Sequence, residues 1–173
     1  QSLSMIKKLN YYFITLFVFG DSIEKYRGTW ASLFTTLFLF ILVYGLKIPI
    51  IIIFLFLLSI LLYSFFAIQS CLNNFQDDDP QEIVIDEFIG QSIPIILYET
   101  FHPNRANTMV EALQIYFWFF LLFRLFDGLK PFPIDYIDKK YKNTFGILFD
   151  DILAGFYVVI CLVLFMVGKT FFS

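Results

Sequence analysis

The chain has 173 residues, 59% hydrophobic and 21% aromatic, with only 16% charged and a mean hydropathy of +0.76. Soluble domains usually carry about 25% charged residues; a small soluble globule has no place for this much apolar surface, so the expected solvent is lipid. The net charge of −3 offers no basic field for nucleic acid.

Gln1 to Ser4 reads as a vector scar ahead of a native start at Met5. The uncharged window Leu9–Gly20 follows Lys7 and Lys8 and lacks a small-residue cleavage pattern, so it is not read as a cleaved signal. Its length suits an interfacial helix as well as a span. Spanning a core about 30 Å thick takes about 20 residues at 1.5 Å each. Gly28–Leu46 and Ile48–Gln76 meet that length unaided, joined tightly at Lys47-Ile48-Pro49. The run QDDDP, Gln76 to Pro80, reads as a solvated loop in which Asp77 and Asp78 favour the N-terminus of a following helix. Phe88–Tyr98 is short and contains Gly90 and Pro94, which predicts a tilted or re-entrant segment. Ala112–Phe123 spans only if its helix starts near Asn107 and ends near Asp127. Ile152–Gly168 spans if Asp150 and Lys169 sit at the two interfaces. Cys71 and Cys161 lie in or beside apolar runs and read as buried thiols. The expected architecture is one domain, an all-α polytopic membrane bundle.

Parity then sorts the loops. If the first two strong spans form one hairpin and the Phe88 and Ala112 windows a second, Asp21–Arg27, Gln76–Glu87 and Gly128–Asp151 share a side. That side carries Lys25, Arg27, Lys130, Lys139, Lys140 and Lys142, against Lys47, Arg105 and Lys169 opposite. Positive residues in short loops favour the cytoplasm, so a polar site at helix ends is expected to face it.

Three polar groups fall on that side. In RGTWASL, Arg27 to Leu33, Gly28 frees the backbone and Thr29 or Ser32 can cap the next helix, an arrangement able to receive phosphate. In EIVIDEFIG, Glu82 to Gly90, Asp86 and Glu87 point about 100° apart on a helix and cannot both face lipid. Gly90, one turn after Asp86, leaves room for an ion, a phosphate or a neighbouring helix. In FRLFDGLKPFPI, Arg124 and Asp127 share a helix face; Gly128 and Pro131 then break the helix, with Lys130 on the turn. Further on, Asp150 and Asp151 open the last apolar helix, and Ala154 and Gly155 permit close packing beside them. Each feature has a bland reading as cap, collar or interfacial ion pair. Together they supply the oxygen ligands of Mg²⁺ and the cations that neutralise phosphate, an inventory for metal-assisted phosphoryl chemistry on a lipid head group.

Other phosphatase chemistries lack their residues. His102 is the only histidine, on the predicted far side, and reads as a loop residue. Neither cysteine begins a C-x5-R loop, since Asp77 and Val167 hold the sixth positions, and no D-x-D-x-[TV] nucleophile is present. A water nucleophile fits best.

The same residues resemble the phosphatidylglycerophosphatase A family, whose members carry P-G-T-x-G-S-L, I-V-x-D-E-x-x-G, F-R-x-x-D-x-x-K-P-x-P-I and G-x-G-I-x-x-D-D-x-x-A-G. Here these read RGTWASL, IVIDEFIG, FRLFDGLKPFPI and TFGILFDDILAG, in order over nearly the whole chain. Arg27 stands at the family's first proline, Ala31 at its second glycine and Thr144 at a later glycine. The resemblance implies a Mg²⁺-dependent phosphatase of the bacterial inner membrane that converts phosphatidylglycerophosphate to phosphatidylglycerol. By motif position, Asp86, Asp127 and Asp150, with Glu87 and Asp151 beside them, would hold Mg²⁺ and orient water. Arg124 and Lys130 would bind the phosphate, with Gly28, Thr29 and Ser32 offering further donors. A CDP-alcohol phosphotransferase is the nearest rival enzyme, but its D-G-x2-A-R pattern fails after Asp127-Gly128. A small cation-binding transporter would place its acidic groups nearer mid-membrane.

Overall fold

The structure, a computed structural model, describes residues 5–17, 26–72, 75, 80–102 and 108–171, the last three by backbone alone. Within these, seven α-helices follow one another: α1 (Met5–Ile14), α2 (Arg27–Phe40), α3 (Ile50–Cys71), α4 (Ile85–Phe101), α5 (Met109–Leu129), α6 (Ile134–Lys140) and α7 (Thr144–Phe171). A π-helical turn, Ile41–Gly45, prolongs α2. No strand occurs among the described residues. Residues 1–4, Lys25, Asp77, Asp78 and Arg105 lie outside them, as does the side chain of Lys169.

Among the described residues, four helices are long and apolar enough to cross a membrane: Arg27–Gly45, Ile50–Cys71, Met109–Leu129 and Thr144–Gly168. Only 22–28% of their most apolar stretches is buried within the protein. So much outward apolar surface is stable only in lipid, and the chain is a multi-pass membrane protein. The helix α1, about 15 Å long at 1.5 Å per residue, is too short to span and lies on α3. Its buried Asn10 is satisfied there, donating to Ser70 Oγ (2.7 Å) and accepting from Tyr63 Oη (2.6 Å).

The segment expected to be tilted or re-entrant is one continuous helix, α4, and not re-entrant, and most of it is buried. It packs against α2, α3, α5 and α7. Pro94 has no N–H for the carbonyl of Gly90, yet the helix continues because its neighbours enclose it. Gly155 of α7 sits against that carbonyl: a Cβ at Gly155 would collide with Gly90 O. Conversely, a Cβ at Gly90 would lie 2.6 Å from Asp151 O. The α4 and α7 backbones therefore touch, as small residues allow in membrane helices. Of the options open for Gly90, the neighbouring helix takes the space.

Helix ends differ in detail from the sequence reading. Neither Thr29 nor Ser32 caps α2; its N-cap is Tyr26, in a left-handed conformation (φ 65°) with no side-chain cap. Ser32 lies inside the helix, where its hydroxyl donates to Gly28 O (2.8 Å), the back-bond usual for a helical serine. The helix α5 runs through Gly128 and stops at Lys130, whose left-handed φ of 43° ends it. The last helix starts at Thr144, with Asn143 Oδ1 accepting from Gly146 N (3.1 Å) in the manner of an N-cap. Asp150 and Asp151 thus sit nearly two turns inside α7, and capping does not explain them. Both cysteines are free, Cys71 buried and Cys161 partly so.

The alternation of α2, α3, α4, α5 and α7 brings the starts of α2, α4 and α7 together with the end of α5. His102 follows the other end of α4, stacked on Tyr98 with ring centroids 5.3 Å apart.

Candidate active site

At that shared end the bundle opens into a cavity of about 390 Å³. Asp86 and Glu87 reach it from the first turn of α4, Asp127 from the last turn of α5, and Asp150 and Asp151 from α7. Gly28, Arg27 and Lys130 share its wall. One carboxylate oxygen each from Asp86, Glu87 and Asp151 lies within 4.8 Å of the other two. Asp127 lies beside Asp151. Asp86 Oδ1 accepts from Glu87 N (3.0 Å), and Asp150 Oδ1 from Asp151 N (3.0 Å). Glu87 Oε2 is buried and has no hydrogen-bond partner among the described residues.

The cations are each held by a carboxylate. Arg124 Nη1 lies 3.0 Å from Asp127 Oδ2 and donates to Ser32 Oγ (3.3 Å). Ser32, fully buried, therefore steadies Arg124 and does not line the cavity; nor does the half-buried Thr29. Gly28 is required here by close approach. A Cβ on it would collide with Glu87 Oε1 and lie 3.2 Å from Arg124 Nη1, so only glycine lets both groups reach the first turn of α2.

Lys130 Nζ bridges Asp150 Oδ2 (3.0 Å) and Asp138 Oδ1 (3.2 Å). Burial works against its ammonium, but the carboxylates of Asp150 and Asp138 outweigh that and hold its pKa above the ordinary range. Burial likewise pushes the Asp138 carboxyl up, yet Lys142 and Lys130 hold it below the usual value. Lys130 is therefore a fixed cation beside the cluster.

Asp138 escaped the sequence reading because it also belongs to a DKK-type helical charge pattern, where its i,i+4 bond to Lys142 (3.1 Å) is the obvious role. Gln91 escaped as well. It is fully buried, one turn past Glu87, and neither amide atom has a partner; a lone glutamine in an apolar window was its only signal. Glu99, at the other end of α4, accepts from Tyr44 Oη (3.0 Å) and Tyr116 Oη (3.1 Å). The π-helical turn carries Tyr44.

Comparison with known proteins identifies the family. The family model described as phosphatidylglycerophosphatase A matches residues 12–166. The phosphatidylglycerophosphatase A of Haemophilus influenzae is 36% identical over 159 residues, covering 91% of this chain and 90% of that one. That of Escherichia coli is 34% identical over 90 residues, 52% of this chain and 45% of its own. A Bacteroides thetaiotaomicron protein provisionally named a phosphatidylinositol-3-phosphatase is 29% identical over 104 residues, 57% of each. No solved structure matches the chain. All four sequence motifs that build the cavity fall inside the matched span, and the chain belongs to the phosphatidylglycerophosphatase A family of lipid phosphatases.

Proposed function

We propose that the enzyme hydrolyses the terminal phosphate of phosphatidylglycerophosphate with Mg²⁺, at the cytoplasmic face of a bacterial inner membrane, yielding phosphatidylglycerol and inorganic phosphate. The observation that carries this reading is the convergence of five carboxylates with Lys130 and Arg27 on one cavity at the ends of lipid-facing helices. A head group enters such a cavity while its acyl chains remain in the bilayer.

The residues present fit the metal. Asp86, Glu87 and Asp151 supply an all-oxygen donor set within one ion's reach, and Glu87 Oε2 is a buried acceptor with nothing to accept. Carboxylates this close repel one another unless a cation or a proton intervenes. Hard oxygen donors select Mg²⁺ or its like. When bound, Mg²⁺ would supply charge neutralisation at the phosphoryl group and a more acidic water.

The chain's own groups do the rest. Lys130, steadied by Asp150 and Asp138, presents fixed positive charge to the phosphate oxygens, whereas Arg124, expected to bind the phosphate, lies outside the cavity lining and holds Asp127 in place. Charge that is already in place needs no reorganisation as the transition state forms. Asp127, next to Asp151 and paired to Arg124, is positioned to orient the attacking water and take its proton. Water's oxygen bonds to phosphorus, the ester P–O bond breaks, and the proton taken up by Asp127 passes through solvent to the departing glycerol oxygen. The parity of the helices and the lysines of α6 and its following loop support the cytoplasmic orientation.

Phosphate release from phosphatidylglycerophosphate in detergent micelles tests the reading, with Mg²⁺ and with EDTA, alongside phosphatidylinositol 3-phosphate as alternative substrate. Metal-dependent release from the first lipid, lost in Asp127→Asn, is expected. Metal-independent release, or preference for the inositol lipid, would overturn it.

A further inference from the structure

Among the described residues, the buried side-chain atoms without a hydrogen-bond partner are Glu87 Oε2, both amide atoms of Gln91, and His102 Nδ1. His102 follows the far end of α4. The other three atoms belong to successive turns of that helix, where Glu87 lines the cavity and Gln91 does not. Glutamine is seldom fully buried, and an amide buried without a partner costs stability. Gln91 is nonetheless fully buried, inside a helix that α2, α3, α5 and α7 enclose. A buried polar group that no protein atom satisfies commonly holds an ordered water or serves a site.

Residues four apart on a helix carry Cβ atoms about 5–6 Å apart, and each Cα–Cβ bond tilts towards the helix N-terminus. The Gln91 side chain therefore leans back over the turn that bears Glu87. That carboxylate closes on Gly28 through Oε1 and stands within one ion's reach of Asp86 and Asp151. A carboxylate that gives one oxygen to an ion still needs a donor at the other, and that donor fixes the ligand's orientation. Gln91 Nε2 is a donor without an acceptor one turn away. We propose that Gln91 is the positioning residue of Glu87: Nε2 donates to a buried water, which donates in turn to the Glu87 oxygen that the ion does not take. The water is needed because neither amide atom meets a protein partner directly. Bonded to Nε2 and to the carboxylate, it has two of the roughly two to four polar partners that hold a water in a protein interior. The inference rests on the reading above that Glu87 belongs to a Mg²⁺ site.

The test is Mg²⁺ titration calorimetry on the full chain in detergent micelles, with thermal unfolding in EDTA and hydrolysis of phosphatidylglycerophosphate alongside. Gln91→Met keeps the length of the side chain and removes the donor. It should weaken Mg²⁺ binding by about tenfold, the lower end for groups that hold metal ligands in place. In EDTA the variant should unfold at the wild-type temperature or above it, because the lost amide bonds to no other protein group. The lipid KM at saturating Mg²⁺ should stay within about twofold of wild type, and Gln91→Asn, which keeps an amide, should recover part of the Mg²⁺ affinity. Ser92→Ala is the control for altered packing of α4: its hydroxyl only donates back to Ile89 O (2.6 Å), so the variant should bind Mg²⁺ as wild type does. Unchanged Mg²⁺ affinity in Gln91→Met would overturn the inference. So would an equal loss in Ser92→Ala, or a metal-free Gln91→Met protein that unfolds well below wild type, either of which makes Gln91 a packing residue. A lipid KM that rises in step with the Mg²⁺ constant would overturn it too, since the whole cavity would then have shifted. Wild-type protein that takes up no Mg²⁺ would overturn the metal reading itself.

Discussion

A single methyl group at Gly90 should disable the enzyme. The Cβ of Gly90→Ala would sit 2.6 Å from Asp151 O, 2.8 Å from Phe123 Cε2 and 2.9 Å from Asp151 C. Two of these atoms are backbone and cannot rotate away. Reaching ordinary contact at 3.4 Å requires α7 to retreat by about 0.8 Å at Asp151. Overpacking of this kind costs about 1–3 kcal/mol, partly offset by about 1 kcal/mol of alanine helix propensity, so the protein should remain folded. The chemistry is more sensitive. Asp151 and Asp86 approach from opposite sides of this contact, and a misplacement near 1 Å can cost about 10²-fold in rate. Phosphate release should therefore fall by about 10²-fold while the melting temperature in detergent drops by only a few degrees. Gly128→Ala is the control: nothing lies within 4 Å of its Cβ, so activity should persist and stability rise slightly. Full activity in Gly90→Ala would refute the argument that the helix crossing sets the position of Asp151.

Asp127→Asn removes one charge while keeping the shape, and turnover should fall by at least about 10²-fold with little change in thermal unfolding. Lys130→Met leaves Asp150 buried and unpaired, which should cost about 3–5 kcal/mol; adding Asp150→Asn should restore much of that stability but no activity, measured as a double-mutant cycle. Mg²⁺ at 100 times its Kd should stabilise the protein by about 2.7 kcal/mol, and an Asp151→Asn variant should lose most of that response in a thermal shift assay. Asp138 has a depressed pKa when folded, so its contribution is present above its ordinary value of about 3.8 and is lost as pH falls through the lower folded value. Wild type should accordingly lose more stability than Asp138→Asn below about pH 4; identical acid limbs would remove Asp138 from the Lys130 network.

The site was legible in the sequence because charges at the borders of apolar windows are conspicuous. Asp86, Glu87, Asp127, Lys130, Asp150 and Asp151 all reach one cavity. Their partners were not legible, since pairing depends on which helix ends meet. The sequence places Arg124 and Asp127 together by i,i+3 spacing, but nothing local joins Arg124 to Ser32 across α2 and α5. Hydropathy also fails to distinguish a helix wrapped by protein from one wrapped by lipid. Phe88–Tyr98 therefore looked merely short, although it belongs to a helix enclosed by four others, and Gly90 and Pro94 suggested a tilted or re-entrant segment where the helix is continuous. The start of α7 was placed too late because Phe145, Ile147 and Leu148 continue the apolar pattern on the near side of the two aspartates.

The backbone contact between Gly90 and Gly155 also decides what can move. No layer of side chains separates α4 from α7 at that point, so the two helices cannot slide past each other there. Asp86, Glu87 and Asp151 consequently travel as one piece. Of the other walls, the first turn of α2 meets that piece at the carboxylate of Glu87, and the end of α5 meets it through Lys130 and Asp150. Widening of the cavity therefore falls to the start of α2 and the end of α5, with Asp86, Glu87 and Asp151 as the stationary part. Bilayer tension or ionic strength should accordingly disturb lipid capture before it disturbs bond cleavage.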